Sequence, residues 1–409
     1  MDKKPEKLVP EVRFKGFTDD WEQRKGKSIF YSKSNKDFPE LIVLSATQDK
    51  GMIPRSSTGI DIKYEKKNLR GYKKVESGDF IVHLRSFQGG FAYSNLTGIV
   101  SPAYTVFTFK QPEMFNNYFW KEKFTSYNFI QLLKKVTYGV RDGRSISYSD
   151  FLTLNEKFPV KVEQTKIADL FKIIDNLITL QQRKLKQLKR LKTAMLQQLF
   201  VEKNSKLPIL RFKNFNGDWK QCKLGELVES LFQGINTAAD KVEYSNNGLP
   251  IIQAKNITSG SLDFSGSRKL SVQKYSNYLD KYIPQKGDIL FANIGTIGPN
   301  VILKDTRQFF IAWNILRIVP QKNINGEFLK ITLDLLNSKH YFEKLLTGNA
   351  TKFVNKNDMR NLPIFFSDPE EQNKISNLFK KLDFLITLQQ NKLTQLSTLK
   401  KYLLQKMFI

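Results

Sequence analysis

The chain has 409 residues, with 66 Lys and Arg against 39 Asp and Glu, a formal charge of +27. Apolar residues make up 40% and aromatics 12%, enough for real cores, which excludes a wholly disordered chain. The length predicts two domains, and the charge predicts a polyanionic partner, nucleic acid before an anionic membrane face. A Lys-rich proteome is the bland alternative. One cysteine, Cys222, permits no intrachain disulfide and no zinc ribbon, and two distant histidines, His83 and His340, argue against a His-rich metal site. The first seven residues carry no apolar stretch of the signal-peptide kind, so the expected compartment is cytoplasmic. The longest uncharged stretch, Phe87 to Phe109, is broken by Gly89, Gly90, Gly98 and Pro102, and predicts strands and turns rather than a membrane span.

From the start, Val9-Pro10 leads into Arg13-Phe14-Lys15, Phe17, Asp20-Trp21, Gln23 and Lys25. The same order returns from Leu207-Pro208 through Arg211-Phe212-Lys213, Phe215, Asp218-Trp219, Gln221 and Lys223, at an offset of 198. The aromatics of both blocks predict packing positions. Short apolar runs then predict strands at Asp79–Leu84 and Tyr104–Phe109, with Asp79 after Gly78, like Asp288 after Gly287, as a turn residue. Before, between and after these runs lie basic, glycine-punctuated loops. Gln48, Lys50 and Arg55 sit on one. His83, Arg85, Ser86 and Gln88 precede Gly89-Gly90 on a second, and Arg141 and Arg144 flank Gly143 on a third. Arg and Gln pair bidentately with guanine and adenine edges, and glycines permit close approach, so these are candidate DNA contacts. A solvated loop side chain accounts for any single one of them equally well, and a packed core histidine accounts better for His83.

From Ile167 to Leu199 there is neither Gly nor Pro. A heptad seam runs Ile167, Phe171, Ile174, Ile178, Gln181, Leu185, Leu188, Lys192, Met195, Leu199, which predicts a long coiled-coil helix. A second apolar row, Leu170, Leu177, Leu180, Leu191 and Leu196, lies off that seam. In the second globule, strands are predicted at Leu249–Gln253, Asp288–Ala292 and Phe310–Val319. Its loops hold the candidate DNA contacts Gln253, Lys255, Asn256, Arg268, Lys269, Asn293, Thr296 and Lys352. Asp368-Pro369-Glu370-Glu371 then opens a second helix with an Asp cap, Pro at the first helical position and acids in the first turn. Its seam is Ile375, Phe379, Leu382, Ile386, Gln389, Leu393, Leu396, Lys400, Leu403, Met407, and its outer row is Leu378, Leu385, Leu388, Leu399 and Leu404.

The chain is thus written twice. Residues 163–200 and 371–408 agree at about 23 of 38 positions, including the LITLQQ run, while the intervening sequences have largely diverged. The expected fold class is α+β: two globular mixed α/β domains, residues 1–160 and 204–368, alternating with two long helices, residues 161–203 and 369–409. The helices are expected to pair antiparallel as a coiled coil, with an internal pseudo-two-fold repeat. One seam cannot bury both apolar rows, so the outer leucines predict a partner-binding surface. Residues 163–200 and 370–408 carry +5 and +4, leaving +18 elsewhere, mostly on the globules, where a phosphate backbone would dock.

No Pro-Pro dipeptide exists, so the motif of amino-group DNA methyltransferases is missing. Gly26-Lys27-Ser28 has Trp21 where a phosphate loop needs glycine. Asp61 with Glu65-Lys66-Lys67 resembles a nuclease metal site only loosely. The balance favours binding over chemistry, with no catalytic residue and no metal ligand assigned.

Two dissimilar globules alternating with two near-identical helices, each globule preceded by Arg-Phe-x-x-Phe and Trp, resemble the specificity subunit of a type I restriction-modification system. The resemblance covers essentially the whole chain. It is carried by the Gly78-Asp79-Phe80 to Tyr104 block, by the Gly287-Asp288-Ile289-Leu290 to Gly298 block, and by Pro369-Glu370-Glu371-Gln372 at the second helix. The first helix keeps Glu163-Gln164 but has Val160 to Val162 in place of the proline turn. The resemblance implies two target recognition domains, each reading one half of an asymmetric bipartite DNA site, and a non-catalytic chain without cofactors of its own. It implies two methyltransferase subunits that bring S-adenosylmethionine and two motor-nuclease subunits that bring ATP and magnesium. The rival expectations are a stand-alone DNA-acting enzyme, a nuclease or fused restriction-methylation protein, and a basic coiled-coil scaffold.

Overall fold

A computed structural model describes residues 8–47, 50–58, 66–82, 90–136, 147–202, 205–258, 260–347 and 351–409, with Gly59 in addition. The chain divides into two compact units. Unit 1 is Met1–Arg183 with Gln390–Ile409, and unit 2 is Lys184–Gln389. Each unit therefore owns one globule, half of one long helix and the opposite half of the other. No helix among the described residues is long and apolar enough to cross a membrane.

In unit 1 the opening strand β1 (Glu22–Lys25) leads to β2 (Phe30–Lys33), β3 (Phe80–Val82), β4 (Phe91–Tyr93), β5 (Thr105–Phe109), helix α1 (Asn117–Thr125) and β6 (Asn155–Phe158). The long helix α2 follows, Lys161–Gln198. The main sheet has the order β2-β5-β3-β4, all antiparallel, and β1 pairs with β6. Its core is a packed aromatic cluster around Phe30, Phe80, Phe107, Trp120 and Phe151, each at most 1% exposed.

Unit 2 repeats the plan with different side chains. Strand β7 (Lys220–Lys223) is followed by β8 (Val228–Gln233), β9 (Leu249–Ile252), β10 (Ile289–Ala292), β11 (Asn300–Ile302), β12 (Phe310–Ile311) and β13 (Ile315–Pro320). Helix α3 (Gly326–Ser338), β14 (Pro363–Phe366) and the long helix α4 (Pro369–Lys406) complete it. The main sheet, β8-β13-β10-β11, is again antiparallel, and β7 pairs with β14. The core here is aliphatic, with Leu224, Ile289, Leu316 and Leu333 fully buried. The strand expected across Phe310–Val319 is in fact two. Ile315 donates its N–H to the Ala312 carbonyl (2.9 Å), a tight turn that ends β12 and re-aims the chain into β13.

The opening blocks are fastened to the long helices by one device used twice. Arg13 grips Glu163 bidentately at 2.8 Å, and Arg211 grips Glu371 at 2.8 and 2.9 Å, with Trp219 Nε1 adding a bond at 3.1 Å. The adjacent glutamines latch the helix starts: Gln164 Nε2 donates to the Pro159 carbonyl and Gln372 Nε2 to the Ser367 carbonyl. The first helix thus reaches the same geometry without the proline turn. Asp368 caps the second, accepting from the Glu370 N–H at 2.8 Å.

Both seams face inward and the helix halves run antiparallel within each unit. In unit 1, Phe171 meets Phe408 and Asp175 accepts from Lys400 at 2.7 Å. In unit 2, Phe200 meets Phe379 and Lys192 donates to Asp383 at 2.6 Å. The polar seam lysines therefore set register by ion pairing across the helices, each to the repeat-equivalent aspartate.

Breaking a buried pair leaves an uncompensated charge, so Glu371→Ala is expected to lower the stability of unit 2 by about 3 kcal/mol, read as a lower urea midpoint. Burial alone would raise the Asp175 pKa, but hydrogen bonds from Lys400 and Tyr118 outweigh it and hold the carboxyl below its ordinary 3.8. A depressed carboxylate contributes stability above its unfolded pKa that is lost as the pH falls through the folded one. Lys400→Met is expected to lower the melting temperature of unit 1 most near neutral pH, with the deficit shrinking as the pH falls below 3.8, read from thermal melts across an acid series.

Candidate nucleic-acid interface

Strand register in unit 2 brings three chain reversals to one sheet edge. Gln233, the last residue of β8, lies opposite Leu316, and Ala292, the last of β10, lies opposite Ile315 at the start of β13. The loops after Gln233, after Ala292 and between β12 and β13 therefore leave together. A fourth segment joins them: Gly295 donates its N–H to the Lys352 carbonyl (3.1 Å), and Val354 donates to the Asn293 carbonyl (2.9 Å).

A pair of side-chain amides ties these segments together. Asn293 Nδ2 donates to Gln233 Oε1 (3.2 Å) and to the Val354 carbonyl (3.1 Å), while Gln233 Nε2 donates to Asn293 Oδ1 (3.0 Å) and to the Trp313 carbonyl. Asn314 extends the node. Its carbonyl accepts from the Asn293 N–H, and its side chain accepts from the Ala254 N–H at 3.1 Å, next to Lys255. Gly234 can only be glycine here, because a Cβ would sit 2.2 Å from the Ala312 carbonyl oxygen.

The expected DNA contacts divide under this geometry. Lys255, Arg268, Lys269, Thr296 and Lys352 are exposed, and the Arg268 guanidinium lies over the Tyr244 ring at 4.4 Å from its centroid. Asn256 and Asn293 are corrected: at 5% and 2% exposure, their amides bond within the domain and hold loops rather than reach a base. Gln253 is half-buried beside Asn256. In unit 1, Lys50 is exposed. Arg55 Nε donates to Ser45 Oγ at 3.1 Å, which holds the side chain along its hairpin. Gln48, His83, Arg85, Ser86, Gln88, Arg141 and Arg144 lie outside the described residues. The matching edge of the unit 1 sheet is formed by Lys33, Val82 and Thr105. Asp79 and Asp288 are turn residues as expected, buried and paired with Lys33 (2.8 Å) and Arg317 (2.6 Å). Their preceding glycines, Gly78 and Gly287, have φ of 100° and 95°.

The outer leucines divide the same way in both copies. Leu177, Leu180 and Leu399 in unit 1, and Leu191, Leu385 and Leu388 in unit 2, are exposed. The expectation of partner binding is corrected for the other four. Leu170 and Leu404 pack on the unit 1 core, Leu378 packs on the unit 2 core, and Leu196 is buried in it. They lie near the helix ends, where each globule covers the outer stripe. Exposed apolar positions on the long helices outside the expected rows include Val162, Ile173 and Tyr402 in unit 1 and Phe384 in unit 2. Sequence reading also missed Gln233. Its only signal is the Gln-Gly step ending an apolar run, which by itself marks a turn.

The architecture defines a class: two α+β units, each built from one globule and an antiparallel pair of long-helix halves. The comparisons place the chain further. The family described as type I restriction modification DNA specificity domain matches residues 216–398. A type I restriction enzyme specificity subunit, MjaVIII, of Methanocaldococcus jannaschii is 24% identical over 266 residues, 61% of this chain and 60% of that protein. The EcoBI specificity subunit of Escherichia coli is 26% identical over 199 residues, 47% of this chain and 41% of that protein. The chain therefore spans between two-fifths and three-fifths of the length of these relatives. In fold, it is similar to the solved type I restriction-modification S subunit from M. genitalium, with a TM-score of 0.62, 15% identity, and 98% and 99% of the two chains covered. A structure described as underlying complex assembly and conformational transition of the type I R-M system gives a TM-score of 0.58 at 16% identity, covering 98% of each chain. Residues 216–398 thus match the type I restriction modification DNA specificity domain, part of the chain resembles specificity subunits in sequence, and the chain as a whole resembles a solved S subunit in fold.

Removing the Asn293 amide leaves Gln233 Oε1 and the Val354 carbonyl without the donor they share. Asn293→Ala is expected to cost about 1–3 kcal/mol, with faster hydrogen exchange at Gly295 and Val354 than elsewhere in the sheet.

Proposed function

We propose that this chain is the DNA sequence-specificity subunit of a type I restriction-modification complex. Each unit reads one half of a bipartite site in double-stranded DNA, and the site is asymmetric because the two loop edges differ in sequence. The observation that carries the reading is the reuse of one sheet order, one Arg–Glu fastening and one helix seam under two dissimilar sets of loops. Phosphate contacts from the basic loops set register, and a few side chains discriminate bases. The base-reading candidates are Lys50, Arg55, Arg85, Gln88, Arg141 and Arg144 in the first domain and Lys255, Arg268, Lys269, Thr296 and Lys352 in the second.

The chain itself is non-catalytic. Its exposed leucines, Leu177, Leu180, Leu191, Leu385, Leu388 and Leu399, dock two methyltransferase subunits that carry S-adenosylmethionine. Two motor-nuclease subunits carry ATP and magnesium, and the complex works in the cytoplasm, where DNA is. The segments 1–160 and 204–368 act as target recognition domains, and 161–203 and 369–409 as spacer helices. The test is to map methylated adenines in DNA from cells carrying this chain with its methyltransferase partner. One asymmetric bipartite motif supports the reading, and unmodified or randomly modified DNA overturns it. Turnover by the chain alone with magnesium, S-adenosylmethionine and DNA supports the stand-alone enzyme instead.

If the helices act as a spacer, inserting four residues into both lengthens it by about 6 Å at 1.5 Å per residue. With base pairs at 3.4 Å, the gap between the half-sites is expected to widen by about one or two base pairs, read from the methylated motif.

A further inference from the structure

We infer that Trp313 is a specificity-determining residue of unit 2, packing its indole against base edges of the half-site that unit reads; the inference rests on the function proposed above. The chain has four tryptophans. Trp21, Trp120 and Trp219 are buried at 2%, 0% and 4% exposure, whereas Trp313 is 40% exposed.

Its backbone is held on both sides while the residue stays 40% exposed. The N–H donates to the Ile235 carbonyl at 2.8 Å, and the carbonyl accepts from Gln233 Nε2. The turn closed by Ile315 and Ala312 places Trp313 at its apex, and Asn314 ties that apex to Asn293 and Ala254. Water-exposed indole surface is costly, and nothing in the sheet requires a tryptophan at a turn apex. A pinned backbone with a partly exposed ring makes a contact that is preorganised and costs little entropy on binding.

The surroundings select the ligand. Thr296 and Lys352, both exposed, stand on the segments bonded to Asn293, and exposed Lys255 stands on the segment bonded to Asn314. An aromatic face among cations and a hydroxyl suits a flat heterocycle in a polyanion. In the major groove the thymine methyl offers an apolar ring a partner that side-chain hydrogen bonds cannot read. An amide pair that holds four segments in place under one exposed indole is an arrangement for fixing where that ring sits. Gln233 and Asn293 are therefore positioning residues for Trp313.

The full chain assembled with its methyltransferase partner is used to select sites from a randomised duplex library. Trp313→Ala is expected to bind the selected duplex roughly ten- to a hundred-fold more weakly, with base preference relaxed at one or two adjacent positions of a single half-site. Trp313→Phe keeps an aromatic ring and stays within about threefold. In the free full chain, acrylamide quenching reads Trp313 among buried tryptophans. The selected duplex is expected to shield that signal, and Trp313→Phe to lack it. If Trp313→Ala keeps wild-type affinity and base preference, or if the quenchable signal is unchanged by the duplex, the inference is overturned while the wider reading stands. If Trp313→Ala instead fails to assemble with the methyltransferase and Trp313→Phe does not restore assembly, the indole is a protein contact and the inference falls. If the wild-type complex selects no sequence, it is the specificity-subunit reading that fails.

Discussion

A helix with two apolar stripes can bury only one of them against a single partner helix. That constraint organises this protein. The inner stripes of the two long helices close on each other, held in register by Lys400 on Asp175 in unit 1 and by Lys192 on Asp383 in unit 2. The outer stripes then have two fates. Near the helix ends, Leu170, Leu196, Leu378 and Leu404 are covered by the globule of their own unit, and further along the helices the leucines are left in water. The same seam explains why neither helix belongs to a single unit: each globule is completed by the end of the other repeat's helix, as Met407 and Phe408 show in the core of unit 1.

On that scaffold the two globules conserve fastening and vary filling. The bidentate Arg–Glu pairs and the Gln latches repeat residue for residue, because a carboxylate buried at a helix start must be paired where it stands. The interiors differ freely, an aromatic cluster in unit 1 and mainly aliphatic packing in unit 2, since cores require volume and apolarity more than identity. The loop edges differ most. A scaffold that tolerates new loops without moving its strands can vary its loop surface while keeping its fastenings.

Much of this was legible in the chain. The 208-residue repeat, the seam positions, the helix start at Asp368-Pro369 and the turn role of Asp79 and Asp288 all follow from local rules of spacing and capping. The site was legible only in part. Asn256 and Asn293 look like base readers in sequence, because an asparagine in a glycine-punctuated loop has the right chemistry for an adenine edge. Only burial and partners show that both are spent inside. The run from Phe310 to Val319 likewise has strand composition throughout, and the turn at Ala312 is a consequence of strands pairing on either side of it.

Composition, periodicity and repetition by themselves determined that this is a basic, duplicated α+β chain with two long helices, one buried stripe and a surplus of apolar positions. Those properties are local or additive along the chain. Which leucines remain in water, which polar side chains are consumed as internal ties, and that Trp313 stands partly exposed at a sheet edge were decided only by tertiary structure. Each depends on segments tens or hundreds of residues apart being brought to the same place, and neither spacing nor residue type encodes that meeting.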